Sequence, residues 1–198
     1  MQFRLFIAAA LLVAGSLASF AQSENKASAV FAGGCFWCME PPYDKTEGVL
    51  STTSGYTGGT AKTAKYEVVS SGGTGHLESV KVEYDPSKVS YEKLLNVYWH
   101  NIDPFDDRGQ FCDKGDQYKS AIFYGNEEEK ALAEKSKKAM EENLGHEIVT
   151  KILPAKEFYA AEDYHQDYYK NNPLHYKFYR YACGRDARLK EVWGKESS

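Results

Sequence analysis

The stretch that most constrains the fold lies at positions 33–40 and reads GGCFWCME. A short, partly apolar segment at 27–32 precedes it, and the two glycines that follow are typical of a β-strand running into a tight turn. A helix is then expected to start at Cys35 and to reach about Lys45, with the Pro-Pro pair either in its first turn or breaking it. The two cysteines are compatible with a redox site, half of a metal site or a structural disulfide.

The rest of the chain predicts an α+β fold. Positions 77–84, LESVKVEY, alternate apolar and polar side chains and predict a β-strand. By this parity Glu78 lies on the apolar face of the strand. Further strands are expected at 48–59, where a flexible loop ends the segment, and at 120–124 and 147–153.

Two helices complete this order of elements. Ser90 is a predicted N-cap for a helix over 91–98, and Asn126 is the predicted start of a charged helix that Gly145 ends. The order matches a ferredoxin-like two-layer α/β sandwich core with an additional helix and strand. The segment 101–117 is expected to be a loop. The tail from about Pro173 has no clean period, so irregular structure is expected there.

The N-terminal 21 residues are typical of a cleaved signal peptide. One positive charge precedes an almost wholly apolar run at 5–18, and small residues stand at Ser19 and Ala21, where a signal peptidase reads. The run is shorter than the roughly 20 residues that a membrane-spanning helix needs. We therefore expect cleavage after Ala21, a single domain at 22–198, export to the periplasm or beyond the cell, and no membrane association after cleavage.

The composition argues against nucleic acid as a partner and leaves the pairing of the four cysteines to be decided. The formal net charge is −4, and no basic stripe of the kind that binds nucleic acid is present. All four cysteines follow the predicted cleavage site, and an oxidising compartment favours their pairing. Four cysteines allow three pairings, and their spacing does not choose among them.

The position of Cys35 favours a nucleophile. A thiol at a helix start lies near unpaired N–H groups and the helix dipole, so its pKa is expected to fall. Cys38 lies one turn further on, within disulfide reach. A static disulfide there would close only a tiny loop, and a zinc site would need a second pair, whereas Cys112 and Cys183 stand apart. Thiol–disulfide exchange remains a rival, although two bulky aromatic residues between the cysteines favour a pocket for an apolar group.

Five motifs in order resemble the A-type peptide methionine sulfoxide reductases. They are GCFWCME at 34–40, SGYTGG at 54–59, TGHLESV at 74–80, QFCDKGDQYKSAIF at 110–123 and EDYHQDYY at 162–169. The resemblance implies thiol-dependent reduction of methionine sulfoxide of the S epimer, free or in proteins, without metal or organic cofactor. It also implies a cysteine sulfenic acid, an intramolecular disulfide, a thioredoxin-type reductant and a role in repairing oxidised proteins.

The resemblance assigns roles to particular residues. Cys35 matches the nucleophile, and Phe36 and Trp37 match the residues that hold the substrate methyl group. Glu78 matches the family's acid, which burial would keep protonated. The family's tyrosines around the sulfoxide oxygen match Tyr66 and Tyr118, and its pocket aspartate matches Asp113.

The cysteine that resolves the sulfenic acid stays open at this stage. Spacing favours Cys38 and family habit favours Cys183, or the two act in sequence, while Cys112 ranks third. His76 and His165 are expected to make structural hydrogen bonds. A thiol–disulfide oxidoreductase and a non-enzymatic cysteine-rich or metal-binding domain are the rival functions. A monomer is expected, and the sequence names neither the reductant nor the preferred form of the substrate.

Overall fold

The computed structural model describes residues 25–194, so the predicted signal peptide lies outside the described residues. The helices of four or more residues are α1 (Phe36–Asp44), α2 (Tyr66–Val69), α3 (Tyr91–Trp99), α4 (Glu127–Leu144), α5 (Tyr168–Asn171), α6 (Pro173–Ala182) and α7 (Arg185–Trp193). The strands are β1 (Ala27–Gly33), β2 (Val49–Thr57), β3 (Leu77–Tyr84), β4 (Gly109–Gln110), β5 (Asp113–Lys114), β6 (Ser120–Tyr124), β7 (Lys151–Pro154) and β8 (Phe158–Ala160).

The sheet has the predicted ferredoxin-like core. Its six strands lie in the order β7-β6-β1-β3-β2-β8, and all neighbours are antiparallel except β6 and β7. The four central strands alternate with α1 and α3 along the chain as strand, helix, two strands, helix and strand. The α+β prediction is therefore confirmed, with β7, β8 and the C-terminal helices as extensions.

The main core lies between one face of the sheet and the helices α1, α3, α4 and α7. The parity predicted for β3 is confirmed, because Val80 and Val82 are fully buried in this core and Glu78, on the same face, is 2 % exposed. On the opposite face a smaller cluster forms around Ala32, Ala121 and Phe123. Because Glu78 shares the buried face of β3 with Val80 and Val82, its carboxyl group is buried together with them.

The predicted helix caps are confirmed. The Ser90 side chain accepts a hydrogen bond from the Lys93 N–H, and the Asn126 side chain accepts one from the Glu129 N–H. Gly145 ends α4 in the left-handed conformation. These contacts satisfy backbone groups that the helix itself leaves unpaired.

Three local predictions were wrong. Both prolines lie inside α1 and do not break it, since buried Phe36, Met39 and Tyr43 hold that helix against the core. The expected loop at 101–117 contains the small β4–β5 hairpin. The tail expected to be irregular forms α6 and α7, and α7 buries Leu189 and Trp193 in the main core.

A short connection joins the two edges of the sheet. Only residues 155–157 separate β7 from β8, although these strands occupy opposite edges. Four virtual bonds span at most about 15 Å, whereas the outer strands of a flat six-stranded sheet lie about 24 Å apart. The sheet therefore curls, and the Lys156 ammonium reaches the carbonyl of Gly58 beyond the end of β2 at 3.3 Å. No helix among residues 25–194 combines the length and apolar character needed to span a bilayer.

Candidate active site

Cys35 occupies the junction between β1 and α1. Gly34 has φ +81°, a conformation that side chains rarely adopt, and it turns the chain from the strand into the helix. Cys35 is the N-cap of α1 and is 6 % exposed. The predicted strand, tight turn and helix start are all present, and they place this thiol at the end of a central strand.

Cys38 lies directly beside it as a second free thiol. The Cys38 N–H donates to the Cys35 carbonyl at 3.0 Å, and both side chains are buried. Burial raises the pKa of Cys35, and the Cys38 thiol raises it further, so the lowered pKa expected at the helix start was wrong. The hydrogen bond with Cys35 instead lowers the pKa of Cys38 to about 6, with Arg185 and Arg180 adding to the effect.

Glu78 on β3 faces this cysteine pair. Its Oε2 accepts a hydrogen bond from the Phe36 N–H at 3.2 Å, and burial raises the pKa of the carboxyl to about 8. The charges of Asp113 and Cys38 raise that pKa as well, while the Phe36 N–H opposes them. Glu78 is therefore a carboxylic acid that can donate a proton at neutral pH.

The two tyrosines predicted around the sulfoxide oxygen and the predicted pocket aspartate come from three separate segments. Tyr66 opens α2, Asp113 lies on β5, and Tyr118 ends a short 3-10 turn before β6. Burial raises the pKa of Tyr66 to about 12, and it also raises the pKa of Tyr118. The charges of Glu78, Cys35 and Asp113 raise both pKa values further. We call the residues that lie around this thiol the Cys35 cluster; it consists of Cys35, Phe36, Trp37, Cys38, Tyr66, Glu78, Asp113 and Tyr118.

Two aromatic side chains form the apolar part of the cluster. Phe36 is 1 % exposed and packs on the rings of Tyr56 and His165, with centroids 5.9 and 5.0 Å away. Trp37 is half-buried, stacks on Tyr168 at 3.7 Å, and donates from Nε1 to His165 Nδ1 at 3.0 Å. Such a platform suits a methyl or thioether group.

The two histidines make the structural hydrogen bonds expected of them. His165 fixes the Trp37 ring through the bond just described. His76 accepts at Nδ1 from the Gly59 N–H at 3.3 Å, and its Nε2 lies 3.0 Å from the Thr60 carbonyl. These hydrogen bonds orient the Trp37 ring and the loop at 59–60.

Tyr179 and Tyr168 are site residues that the sequence analysis missed. The Tyr179 hydroxyl donates to Asp113 Oδ2 at 2.5 Å, and its ring meets Trp37 edge-on at 5.8 Å. Burial raises the pKa of Tyr179, and the charges of Cys35 and Asp113 raise it further. Tyr168 belongs to the EDYHQDYY motif, which was a usable signal, whereas nothing in the tail pattern singled out Tyr179.

The remaining cysteines are joined to each other. Cys112, in the turn between β4 and β5, forms a disulfide with Cys183 at the end of α6, and their Cα atoms are 4.9 Å apart. Cys183 is therefore not paired with Cys35. Across residues 25–194 the one cluster of three groups that could hold a metal ion is Cys112, Asp113 and Cys183, and two of its ligand atoms are already bonded in the disulfide.

Comparison with known proteins identifies the family. The model of the family described as peptide methionine sulfoxide reductase matches residues 27–197. The chain belongs to that family. It is 52% identical over 169 residues to the peptide methionine sulfoxide reductase MsrA of Halalkalibacterium halodurans, covering 84% of this chain and 96% of that protein. It is 50% identical over 188 residues to MsrA 2 of Caulobacter vibrioides, covering 94% and 95%.

Solved structures of the family share this fold. Mxr1 from Saccharomyces cerevisiae in reduced form has a TM-score of 0.72 at 30% identity, covering 75% of this chain and 87% of that chain. Methionine sulfoxide reductase A of Corynebacterium diphtheriae has a TM-score of 0.68 at 31% identity, covering 77% and 78%. As a member of the reductase family, the chain is an oxidoreductase that reduces methionine sulfoxide.

Proposed function

We propose that Cys35 attacks the sulfur of methionine S-sulfoxide, free or in proteins, and takes over its oxygen. The observation that carries this proposal is a pair of buried free thiols facing a carboxyl group whose pKa is about 8. As Cys35 attacks, its thiol proton passes to the hydrogen-bonded Cys38 thiolate. The S–O bond of the substrate breaks, methionine leaves, and Cys35 becomes a sulfenic acid; Cys38 then returns its proton to the Glu78 carboxylate. Glu78 donates a proton to the departing oxygen, because the transition state develops negative charge there.

The rest of the Cys35 cluster positions the substrate. Phe36 and Trp37 hold the methyl group against their rings. Tyr66 and Tyr118 donate hydrogen bonds to the sulfoxide oxygen, since burial keeps both phenols protonated. Asp113 orients the polar side of the substrate.

Cys38 resolves the sulfenic acid in this proposal. Its pKa of about 6 makes it a thiolate at neutral pH, and it lies one helical turn from Cys35. Attack of this thiolate on the Cys35 sulfur expels the hydroxyl as water and forms a disulfide. Cys183 is engaged with Cys112 and does not compete for this step while that bond lasts.

A thioredoxin-type dithiol completes the cycle. The Cys35–Cys38 disulfide takes two electrons from such a partner and returns to two thiols, while the partner becomes a disulfide. Mxr1 from Saccharomyces cerevisiae has also been solved in complex with Trx2. The overall balance is one sulfoxide and one dithiol converted to methionine, a disulfide and water.

Chiral chromatography tests the reaction. A racemate of blocked methionine sulfoxide is incubated with residues 22–198 and dithiothreitol, alongside the Cys35→Ser variant. The S epimer alone should disappear, and Cys35→Ser should consume neither epimer. Persistence of both epimers with folded wild-type protein would overturn the proposal, and reduction of insulin disulfides instead would favour the exchange activity.

A sulfenic acid trap tests the resolving step. Protein that has been reduced with dithiothreitol and desalted anaerobically receives one equivalent of sulfoxide and then dimedone, and the adduct on Cys35 is measured by mass spectrometry. Cys38→Ser should accumulate the adduct, whereas Cys183→Ser and the wild type should not. The reverse pattern would assign the resolving role to Cys183.

Export and oligomeric state complete the proposal. The charged start, apolar run and small residues before position 22 support export to the periplasm or beyond, where the enzyme repairs oxidised proteins as a monomer. Expression of the full chain, osmotic shock and mass analysis should give a released protein that starts at Gln22. Sedimentation should give one chain per particle, and an uncleaved cytoplasmic product would overturn the assignment of export.

A further inference from the structure

Helix α6 is fastened over the Cys35 cluster at two neighbouring points. Tyr179 donates to Asp113, and Cys183 is bonded to Cys112. Tyr179 and Cys183 lie one helical turn apart, and their partners are consecutive residues of the β4–β5 hairpin. Both links therefore hold the same face of α6 against the same hairpin.

This placement puts Tyr179 where a substrate would approach. Its hydroxyl donates to Asp113 and its ring lies against Trp37, so it contacts two members of the Cys35 cluster. Burial raises the pKa of Tyr179, and the charge of Cys35 raises it further. Cys35 itself is 6 % exposed. A methionine sulfoxide side chain that approaches the thiol past Asp113 and Trp37 meets Tyr179.

Apart from these two links, helix α6 is held by ring contacts of His175 and Tyr176 with α5 and by the ion pair of Arg180 with Asp186. None of its side chains is fully buried, and its outer face carries Leu174, Phe178 and Tyr181 at 83%, 71% and 84% exposure. Elements with few buried contacts open at low free-energy cost. The disulfide is therefore the strongest link between the middle of the tail and the hairpin.

The Cys112 side of this link is open to chemistry from outside. Cys112 is exposed, whereas Cys35 and Cys38 are buried. We propose that Cys112–Cys183 is a second redox-active site, and that its reduction by a dithiol releases α6 and withdraws Tyr179 from the Cys35 cluster. This inference rests on the proposed function of that cluster.

The redox step balances as a thiol–disulfide exchange. A thiolate of the reductant attacks the Cys112 sulfur, the bond to Cys183 breaks, and Cys183 leaves as a thiolate. The second thiol of the reductant then attacks the mixed disulfide and releases Cys112. The protein gains two electrons and two protons as thiols, and the reductant becomes a disulfide.

The consequence is a site that opens only when electrons are available. With reductant present, the tail is released and substrate enters. Without it, the bonded tail shields Cys35 from peroxide, which would otherwise carry a sulfenic acid on to irreversible sulfinic acid.

Alkylation of Cys35 tests the release directly. Residues 22–198 are treated with iodoacetamide either as the disulfide form or after reduction with dithiothreitol and anaerobic desalting, and Cys35 modification is followed by fragment mass spectrometry. Loss of one such link shifts an open–closed equilibrium by about tenfold, so Cys35 should react at least about tenfold faster in the reduced form. The double variant Cys112→Ser/Cys183→Ser should match the reduced form without any reductant.

Tyr179→Phe tests the second link, with Tyr181→Phe as the matched control on the exposed face of the same helix. Tyr179→Phe should speed Cys35 alkylation of the disulfide form severalfold, and Tyr181→Phe should leave it unchanged. The rates are measured beside a titration of the thiolate absorbance of each form, so that a change in the pKa of Cys35 is distinguished from opening of the tail.

Equal rates of Cys35 alkylation in the disulfide, reduced and double-variant forms would overturn the inference. Loss of turnover in the double variant with unchanged Cys35 alkylation would also overturn it, because Cys112 and Cys183 would then carry electrons without moving the tail. Alkylation of Cys35 does not require sulfoxide reduction. This test therefore measures the release of α6 even if the proposed reaction fails.

Discussion

Glu78 is a buried acid, and we expect its titration to be visible in the pH dependence of the reaction rate. Because the pKa is raised to about 8, the proton needed by the leaving oxygen is present below that pH and is lost above it. We expect the single-turnover rate of sulfoxide reduction to fall as pH rises through about 8. In Glu78→Gln the rate should drop by about 10²- to 10³-fold and this high-pH decline should vanish.

The amide of Glu78→Gln can still accept the Phe36 N–H, so the fold should be preserved. Glu83→Gln, on the same strand but half-buried and away from the cluster, serves as the control. A Glu78→Gln enzyme with the wild-type rate and pH profile would remove Glu78 from the mechanism.

Glu40 is a second buried carboxyl, and its effect belongs to stability. It is 1 % exposed, and burial raises its pKa from 4.5 to about 7. The folded protein holds this proton while the unfolded chain releases it, so the stabilising contribution is present below about pH 4.5 and is lost as pH rises through 7. Glu40→Gln removes the titration.

Urea denaturation at pH 5 and pH 8 measures this effect. The free energy of unfolding of Glu40→Gln minus that of the wild type should be larger at pH 8 than at pH 5 by about 2 kcal/mol. The variant is thus more stable relative to the wild type at the higher pH. Exposed Glu47→Gln should show no such difference. An equal effect of Glu40→Gln at both pH values would show that the group does not titrate in this range.

At the scale of elements, the cap of α4 offers a local test. Asn126 accepts the Glu129 N–H, and Glu129 in turn accepts the Gly125 N–H at 2.7 Å. Asn126→Ala should lower the free energy of unfolding by about 1 kcal/mol, as measured by urea denaturation. Lys135→Ala, exposed in the middle of the same helix, should have almost no effect, and equal losses would mean that propensity rather than the cap decides.

The elements of the core were predictable from the sequence because each carries its own local signal. The alternation in β3 located both the strand and the buried Glu78, and the side chains of Ser90 and Asn126 marked helix starts. Helix α6 was not predicted because aromatic side chains lie on both of its faces. Tyr176 and Tyr179 face inward while Phe178 and Tyr181 face solvent, so no apolar stripe stands out.

The boundaries of the tail helices nevertheless left a trace. Pro173 opens α6, and Gly184, with φ +65°, separates it from α7. No signal in the sequence indicated the pairing of Cys112 with Cys183, since the spacing of four cysteines does not distinguish their three possible pairings. The raised pKa of Cys35 was equally hidden, because burial outweighs a helix start and burial is a property of the assembled fold.

For the whole molecule, the disulfide ties together residues far apart in sequence. Its cysteines are separated by 71 positions, and closing such a loop in the unfolded chain is worth about 4 kcal/mol. Cys112→Ser/Cys183→Ser should lose about this free energy of unfolding. Dithiothreitol should destabilise the wild type similarly and leave the double variant unchanged; an equal response of both would place the effect elsewhere.

The three-residue link between β7 and β8 bears on aggregation. The strands it joins are the two outer strands of the sheet, four and three residues long, and such short strands leave little open backbone for pairing with a second molecule. A protease that cuts among the exposed residues 155–157 would loosen both outer strands in one event. The two pieces would remain covalently joined through Cys112 and Cys183, so the nicked protein would keep its mass while gaining two edges prone to self-association.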